Sequence, residues 1–190
     1  MISKTYYKYI HILTISLSRA HDNTNTSHLV NINIPEVSLI NVVSSLNNTI
    51  LFDGSSVTEA GKTFMFNKSD KSVWINYSSI VGSRTEPSRH VSIEISEGKV
   101  PDGLVLSVKV SEDKGLGGGK MGKSINKKQA LTNNPTMVIN EIESSYTGVG
   151  ANKGHNVEYI LELKDEKDSY ANLDFDQTIA LNIIYTLSDN

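Results

Sequence analysis

The sequence contains no cysteine, which excludes disulfide bonds, thiolate zinc sites, iron–sulfur clusters and cysteine nucleophiles. Its 18 lysines and arginines are outnumbered by 21 acidic residues, and no segment is densely basic. Affinity for nucleic acid depends largely on basic residues that contact phosphates, so no nucleic-acid partner is expected. Beyond the first 20 residues, no stretch approaches the roughly 18 consecutive apolar residues that span a bilayer. The mature chain is therefore predicted to have no transmembrane segment.

A sustained helical period is also missing. Short runs of β-branched and apolar residues alternate with clusters of turn-forming residues, and the chain holds 24 serines and 18 asparagines. This pattern predicts an all-β domain, an antiparallel two-sheet β-sandwich. The predicted strands are Leu29–Ile34, Val37–Val43, Thr49–Phe52, Thr63–Phe66, Val73–Tyr77, His90–Ser96, Leu104–Val110, Met137–Asn140, Val157–Leu163 and Ile179–Leu187.

The first 20 residues have the order of a secretory signal peptide. Lys4 and Lys8 precede an apolar stretch, and small residues precede a potential cleavage site after Ala20. The alternative is an amphipathic edge strand over residues 10–17, in which apolar and polar residues alternate. We interpret residues 1–20 as a signal peptide, residues 21–28 as a flexible leader and residues 29–190 as a single sandwich domain.

One segment satisfies the phosphate-loop pattern G-x-x-x-x-G-K-S. Its defining residues are Gly117, Gly122, Lys123 and Ser124. A phosphate loop also needs a strand directly before it and a helix whose first N–H groups point at the anion. The preceding strand is predicted to end near Val110, and Pro135 limits any following helix. We therefore interpret the run as a flexible glycine hairpin rather than a nucleotide site.

Other polar clusters give weaker signals. Asp165, Glu166 and Asp168 precede Asp174 and Asp176, and such carboxylates suit calcium, but interleaved lysines favour a solvated loop. The five histidines show no pair at ligand spacing, and His155 is expected to be a turn residue. No serine lies in a nucleophile elbow. We predict no catalytic residue, cofactor or metal, and a protein that is not an enzyme.

The only tryptophan, Trp74, alternates with Val73 and Ile75 in a predicted strand. If Trp74 and Asn76 share a face in contact with solvent, they form a platform on which a sugar could stack. The alternative is that Trp74 is a buried aromatic residue of the kind common in sandwiches.

Several segments together resemble a known group of proteins. They are Asn33–Val37 with Leu39–Ile40, Trp74–Ile80, Val100–Leu104, the glycine run at 117–119, Tyr146–Gly148, Gly154–Asn156 and Ile184–Asn190. Over residues 29–190 the chain resembles short, exported, largely uncharacterised Gram-negative proteins with a pilin-like or immunoglobulin-like β-sandwich. The resemblance implies export and an all-β fold with no established catalytic activity.

The expected function is a structural or surface protein outside the cytoplasm, in the periplasm, at the cell surface or secreted. A fimbria-like or envelope assembly subunit would pair with itself or another envelope protein through edge strands, with Leu29–Ile34 and Ile179–Leu187 as the candidates. The alternative is a glycan-binding sandwich that uses Trp74 and Asn76.

Overall fold

A computed structural model describes residues 25–46, 49–54, 57–63, 67–165, 167–174, 176 and 179–190. These residues belong to two units, one that includes residues 25–33 and another from Ile34 to Asn190. Residues 25–33 contain no helix or strand. The second unit contains all the described strands, and its two antiparallel sheets confirm the predicted all-β sandwich.

The described residues of the second unit form eleven strands and one short helix. In chain order the strands are β1 (Val37–Ser44), β2 (Asn67–Ile80), β3 (Arg89–Glu97), β4 (Leu104–Asp113), β5 (Gly118–Gly119), β6 (Lys123–Ser124), β7 (Gln129–Ala130), β8 (Thr136–Ile142), β9 (Ser145–Tyr146), β10 (His155–Leu163) and β11 (Asn182–Asp189). A short 3₁₀ helix covers Tyr170–Asn172. No helix among the described residues is long and apolar enough to cross a bilayer.

The larger sheet has seven strands and the smaller has four. The larger follows the order β5-β9-β2-β10-β4-β7, with β1 paired to β2, and the smaller follows β11-β3-β8-β6. Among the described strands, β1 pairs with β2 alone and β11 pairs with β3 alone. Both strands are therefore edge strands of their sheets, and they contact each other.

Alternating side chains build the core between the sheets. Val91, Ile93 and Ile95 of β3 are buried, and so are Val73, Ile75 and Tyr77 of β2, as the alternation predicts. On β11, Ile183, Tyr185 and Leu187 pack against this core while Ile184 is exposed. Because strand side chains alternate with a period of two, these patterns also fix which face of each sheet points outward.

Two predicted strands are absent from the structure, and a third lies mostly outside the described residues. Leu29–Ile34 is not a strand, and it pairs with no described strand. Residues 49–52 also have no ladder, although Ile50 and Phe52 pack against the core, so their apolar pattern indicates burial rather than a strand. Thr63 lies outside any strand, and residues 64–66 fall outside the described residues.

β2 is much longer than its predicted part, Val73–Tyr77. Its first half is polar and has no alternation that would predict a strand, yet it pairs with β10 from Asn67 onward. An irregularity in the ladder lies in this half, where the Asp70 carboxylate accepts hydrogen bonds from the backbone N–H and hydroxyl of Ser72 at 2.8 and 2.6 Å. The pairing partner, rather than local sequence, sets the length of this strand.

Candidate functional site

Trp74 and Asn76 share the face of β2 opposite the core residues Val73, Ile75 and Tyr77, and both are covered, in agreement with the alternative of a buried Trp74. Trp74 is 7% exposed and Asn76 is 4% exposed. The Asn76 side-chain amide donates to the carbonyl of Lys153 at 2.7 Å and accepts from the backbone N–H of Gly150 at 2.8 Å. The Lys114 ammonium stands 5.8 Å from the centroid of the Trp74 ring. Little of this pair is left for a sugar to contact, so the geometry gives the glycan alternative little support.

The run from Gly117 to Ser124 crosses from one sheet to the other rather than forming a free hairpin. Its glycines pair with β9 through β5, and Lys123 and Ser124 pair with β8 through β6. No helix follows Ser124, since residues 125–128 contain none. The Lys123 ammonium pairs with the Glu141 carboxylate at 2.7 Å, and the backbone N–H of Ser124 donates to Glu112 at 3.3 Å. The carboxylates of Glu141 and Glu112 therefore occupy the lysine and the backbone N–H that a phosphate loop would use to bind a phosphate.

The glycines of this run allow close packing. A Cβ atom at Gly117 would overlap the carbonyl oxygen of Tyr146, and one at Gly122 would overlap the Ile142 side chain. The backbone must approach its neighbours closely at both positions, which only glycine permits. The glycine content that suggested a phosphate loop thus serves to pack this crossing segment against the strands beside it.

His155 is a buried residue at the start of β10, where the sequence predicted a turn residue. One ring nitrogen, Nδ1, lies 2.9 Å from the carbonyl of Ser111, and Nε2 lies 3.1 Å from the hydroxyl of Tyr77. The backbone N–H of Gly122 donates to the same hydroxyl at 3.2 Å. Nδ1 must therefore carry the proton and Nε2 must accept from Tyr77. This arrangement leaves the neutral ring with no nitrogen free for a substrate.

Burial explains the protonation properties of this pair. It raises the pKa of Tyr77 to about 12, and it lowers the pKa of His155 below the ordinary value of 6.5. Both groups are therefore neutral at physiological pH. A buried neutral pair that links β2, β10 and the crossing segment contributes to the stability of the fold.

The free energy of unfolding should fall as the pH drops below 6.5. In the unfolded chain His155 is protonated as the pH falls through about 6.5, whereas in the folded chain its pKa is lower. The unfolded state therefore binds a proton first, and the free energy of unfolding falls between pH 6.5 and the folded pKa. Urea unfolding at pH 7.5 and 5.0 should show a smaller difference for His155→Gln than for the unchanged chain. His28→Gln, at an exposed position, is the control and should leave the difference unaltered. Equal differences for all three chains would contradict the prediction.

The acidic loop makes internal hydrogen bonds. The Asp165 carboxylate accepts from the backbone N–H groups of Asp168 at 3.1 Å and Lys167 at 2.9 Å, and these bonds lower its pKa. The Asp174 carboxylate likewise accepts from the N–H of Asp176 at 3.0 Å. Glu166 lies outside the described residues. These contacts are local turns, which carboxylates on loops commonly form without a metal.

Three other carboxylates converge on a buried arginine that the sequence analysis did not single out. Oxygen atoms of Glu36, Glu86 and Asp189 lie within 4.8 Å of one another. Arg89, only 1% exposed, forms ion pairs with Glu36, with Asp189 at 2.7 Å and with Glu86 at 3.9 Å. It also donates to the carbonyls of Val37 and Ile80. A guanidinium thus supplies positive charge where a cation would otherwise be needed, and it ties β1, β2 and β11 together.

The segment before β1 presents apolar side chains to solvent. Leu29, Val30, Ile32 and Ile34 are between 66% and 84% exposed. Val30, Ile32 and Ile34 alternate with asparagines, which is the pattern of a strand with one apolar face.

Comparisons with known proteins identify no relative of this chain. No family model, curated protein or solved structure matches the chain.

Proposed function

We propose that the chain is a non-enzymatic structural or surface subunit that functions outside the cytoplasm. In this proposal it joins copies of itself, or another envelope protein, through its edge strands. The observation that carries the proposal is the exposure of Leu29, Val30, Ile32 and Ile34, each at least 66%. Burying one such side chain contributes about 1.5 to 3 kcal/mol, so a partner that covers the segment gains substantial binding free energy.

The edges of the two sheets offer backbone partners for this segment. β1 and β11 each pair with one described strand, so neither has a second ladder among the described strands. An added strand receives main-chain hydrogen bonds from such an edge, and its alternate side chains determine specificity. The segment from Val30 to Ile34 has the alternation that this mode of binding requires. The buried His155 and Tyr77 fit a stabilising role better than a catalytic one.

Ile32→Asp tests the assembly part of the proposal. A carboxylate at this position would have to be buried in any interface that covers the segment, so we expect self-association to weaken at least about tenfold. Asn33→Asp adds the same charge to the other face and is the matched control. Light scattering of size-exclusion peaks over a range of concentrations measures the effect. A strict monomer for the unchanged chain, or equal effects of the two variants, would exclude self-assembly through this segment.

Export is tested by the native protein itself. We expect the intact mass of protein recovered from fractionated cells to correspond to a chain that begins near His21, in the periplasmic, surface or secreted fraction. A chain that retains residues 1–20 in the cytosol would contradict the proposed location. It would also favour the alternative interpretation of residues 10–17 as a strand.

A further inference from the structure

Two neighbouring loops and the end of β9 present apolar side chains close together. Leu116, Tyr146 and Val149, which together we name the two-loop patch, are between 58% and 81% exposed. The loops lie side by side, because a Cβ atom at Gly117 would overlap the carbonyl oxygen of Tyr146. A Cβ atom at Gly148 would in turn lie 3.6 Å from the carbonyl oxygen of Leu116. The three residues therefore belong to one small surface, although they are separated in sequence.

The second loop is held firmly in place by buried polar contacts. The hydroxyl of Thr147, itself fully buried, accepts from the backbone N–H of Tyr77 at 3.0 Å. Both ends of the Asn76 amide bond to the loop backbone, at Gly150 and Lys153. These contacts fix the base of the loop while Val149 stays 81% exposed. Val149 thus lies on a turn that is already ordered, so binding through it would cost little further conformational entropy.

The first loop is tied to the second. The backbone N–H of Lys114 donates to the carbonyl of Gly154 at 3.0 Å. Gly115 and Gly117 flank Leu116, and Gly148 and Gly150 flank Val149. Glycines have no side chains, so the residues directly next to Leu116 and Val149 in sequence do not cover them. The result is a surface with two exposed aliphatic side chains and one tyrosine.

The charges around the patch favour a negatively charged partner. Lys114 and Lys153 flank the two tips, and neither forms an ion pair with a described residue. Lys120, also nearby in sequence, pairs with Glu143 at 2.8 Å. The Asp113 carboxylate, next to Lys114 in sequence, accepts the backbone N–H of Gly115 at 2.5 Å. Lys114 is exposed, although its ammonium also lies 5.8 Å from the centroid of the Trp74 ring, and Lys153 is half-buried, so these two lysines supply the positive charge beside the apolar tips.

We propose that the two-loop patch docks on an anionic lipid bilayer. Leu116 and Val149 insert below the headgroups, Tyr146 lies at the headgroup level, and Lys114 and Lys153 contact lipid phosphates. Aliphatic tips with a tyrosine and flanking lysines match the graded polarity of that interface. A protein partner is less suited to the patch, because a stable protein interface buries about 1,200 Å² or more in total, far beyond three side chains. The inference does not rest on the proposed assembly function.

Vesicle flotation tests the proposal with the full chain. The probes are phosphatidylcholine vesicles with and without phosphatidylglycerol, and residues 1–20 are the same in every variant. We expect binding to vesicles that contain phosphatidylglycerol, and a fall of at least about tenfold in partitioning for the double variant Leu116→Asn, Val149→Asn. Leu51→Asn, at a site 76% exposed and outside the patch, is the matched control and should bind as the unchanged chain does. Circular dichroism melting confirms that each variant is folded.

The lysines are tested separately. Lys114→Gln with Lys153→Gln should weaken binding to phosphatidylglycerol vesicles and reduce its dependence on salt. Absence of binding by the unchanged chain, or equal binding by the tip variant, would overturn the proposal. A change in oligomeric state of the tip variant without vesicle binding would show that the patch is a protein interface instead, and would also overturn it. Ile32→Asp should retain vesicle binding, so failure of the assembly proposal is distinguishable from failure of this one.

Discussion

Replacing Arg89 with methionine should lower the free energy of unfolding by about 3 kcal/mol and the urea midpoint by roughly 1 to 2 M. The guanidinium is buried and satisfies the carbonyl oxygens of Val37 and Ile80. Methionine fills much of the volume but donates no hydrogen bond, so both carbonyls lose a charged donor. The variant also leaves Glu36, Glu86 and Asp189 close together without their shared counter-charge.

The control for Arg89→Met is Arg84→Met, which removes the same side chain at an exposed position. It should change the midpoint little, since surface substitutions typically alter stability by less than about 0.5 kcal/mol. Adding Asp189→Asn to Arg89→Met should recover part of the loss, because it removes one of the three repelling carboxylates. Equal midpoints for Arg89→Met and Arg84→Met would show that the arginine network does not hold the two edge strands.

The strands that face the core on one side could be predicted from sequence. β3 is the clearest example, because its valine and isoleucines alternate with polar residues and all three are buried. The alternation in β2 likewise predicted the outward direction of Trp74 and Asn76. The burial of Trp74 was one of two alternatives that the sequence left open, whereas the burial of Asn76 was not predictable, since the loop that covers it lies more than 70 residues further along the chain. Alternation indicates a face of a sheet, and it carries no information about what packs on that face.

The polar core contacts were missed for the same reason. Arg89 is buried because Asp189, 100 residues away, and Glu36, 53 residues away, come together around it. Nothing in the residues next to Arg89 distinguishes it from an exposed arginine. His155 resembled a turn residue because glycine precedes it, whereas its partners Tyr77 and Ser111 come from other strands. Long-range partners of this kind decide the burial of a polar residue, and a single sequence does not show them.

Gly154→Ala should be the second large perturbation, and the chain provides a closely matched control. Gly154 and Gly115 have the same left-handed backbone angle, φ +69°. A Cβ atom at Gly115 would meet nothing within 4 Å, whereas one at Gly154 would overlap the carbonyl oxygen of Ile75 in β2. Gly115→Ala should therefore cost only the conformational strain, about 1 to 2 kcal/mol. Gly154→Ala should cost more than about 3 kcal/mol, because the clash adds to the strain.

The clash at Gly154 should also alter the loop that carries Val149. The added Cβ atom would lie 3.1 Å from the Asn76 amide nitrogen, which bonds to Lys153 and so helps to fix the loop base. We expect Gly154→Ala to lower the urea midpoint. We also expect it to change the near-ultraviolet circular dichroism of Trp74, which lies on the same face of β2 as Asn76. Gly115→Ala should leave that spectrum unchanged. Equal losses of stability in the two variants would show that backbone strain alone, and not the close approach to β2, requires glycine at position 154.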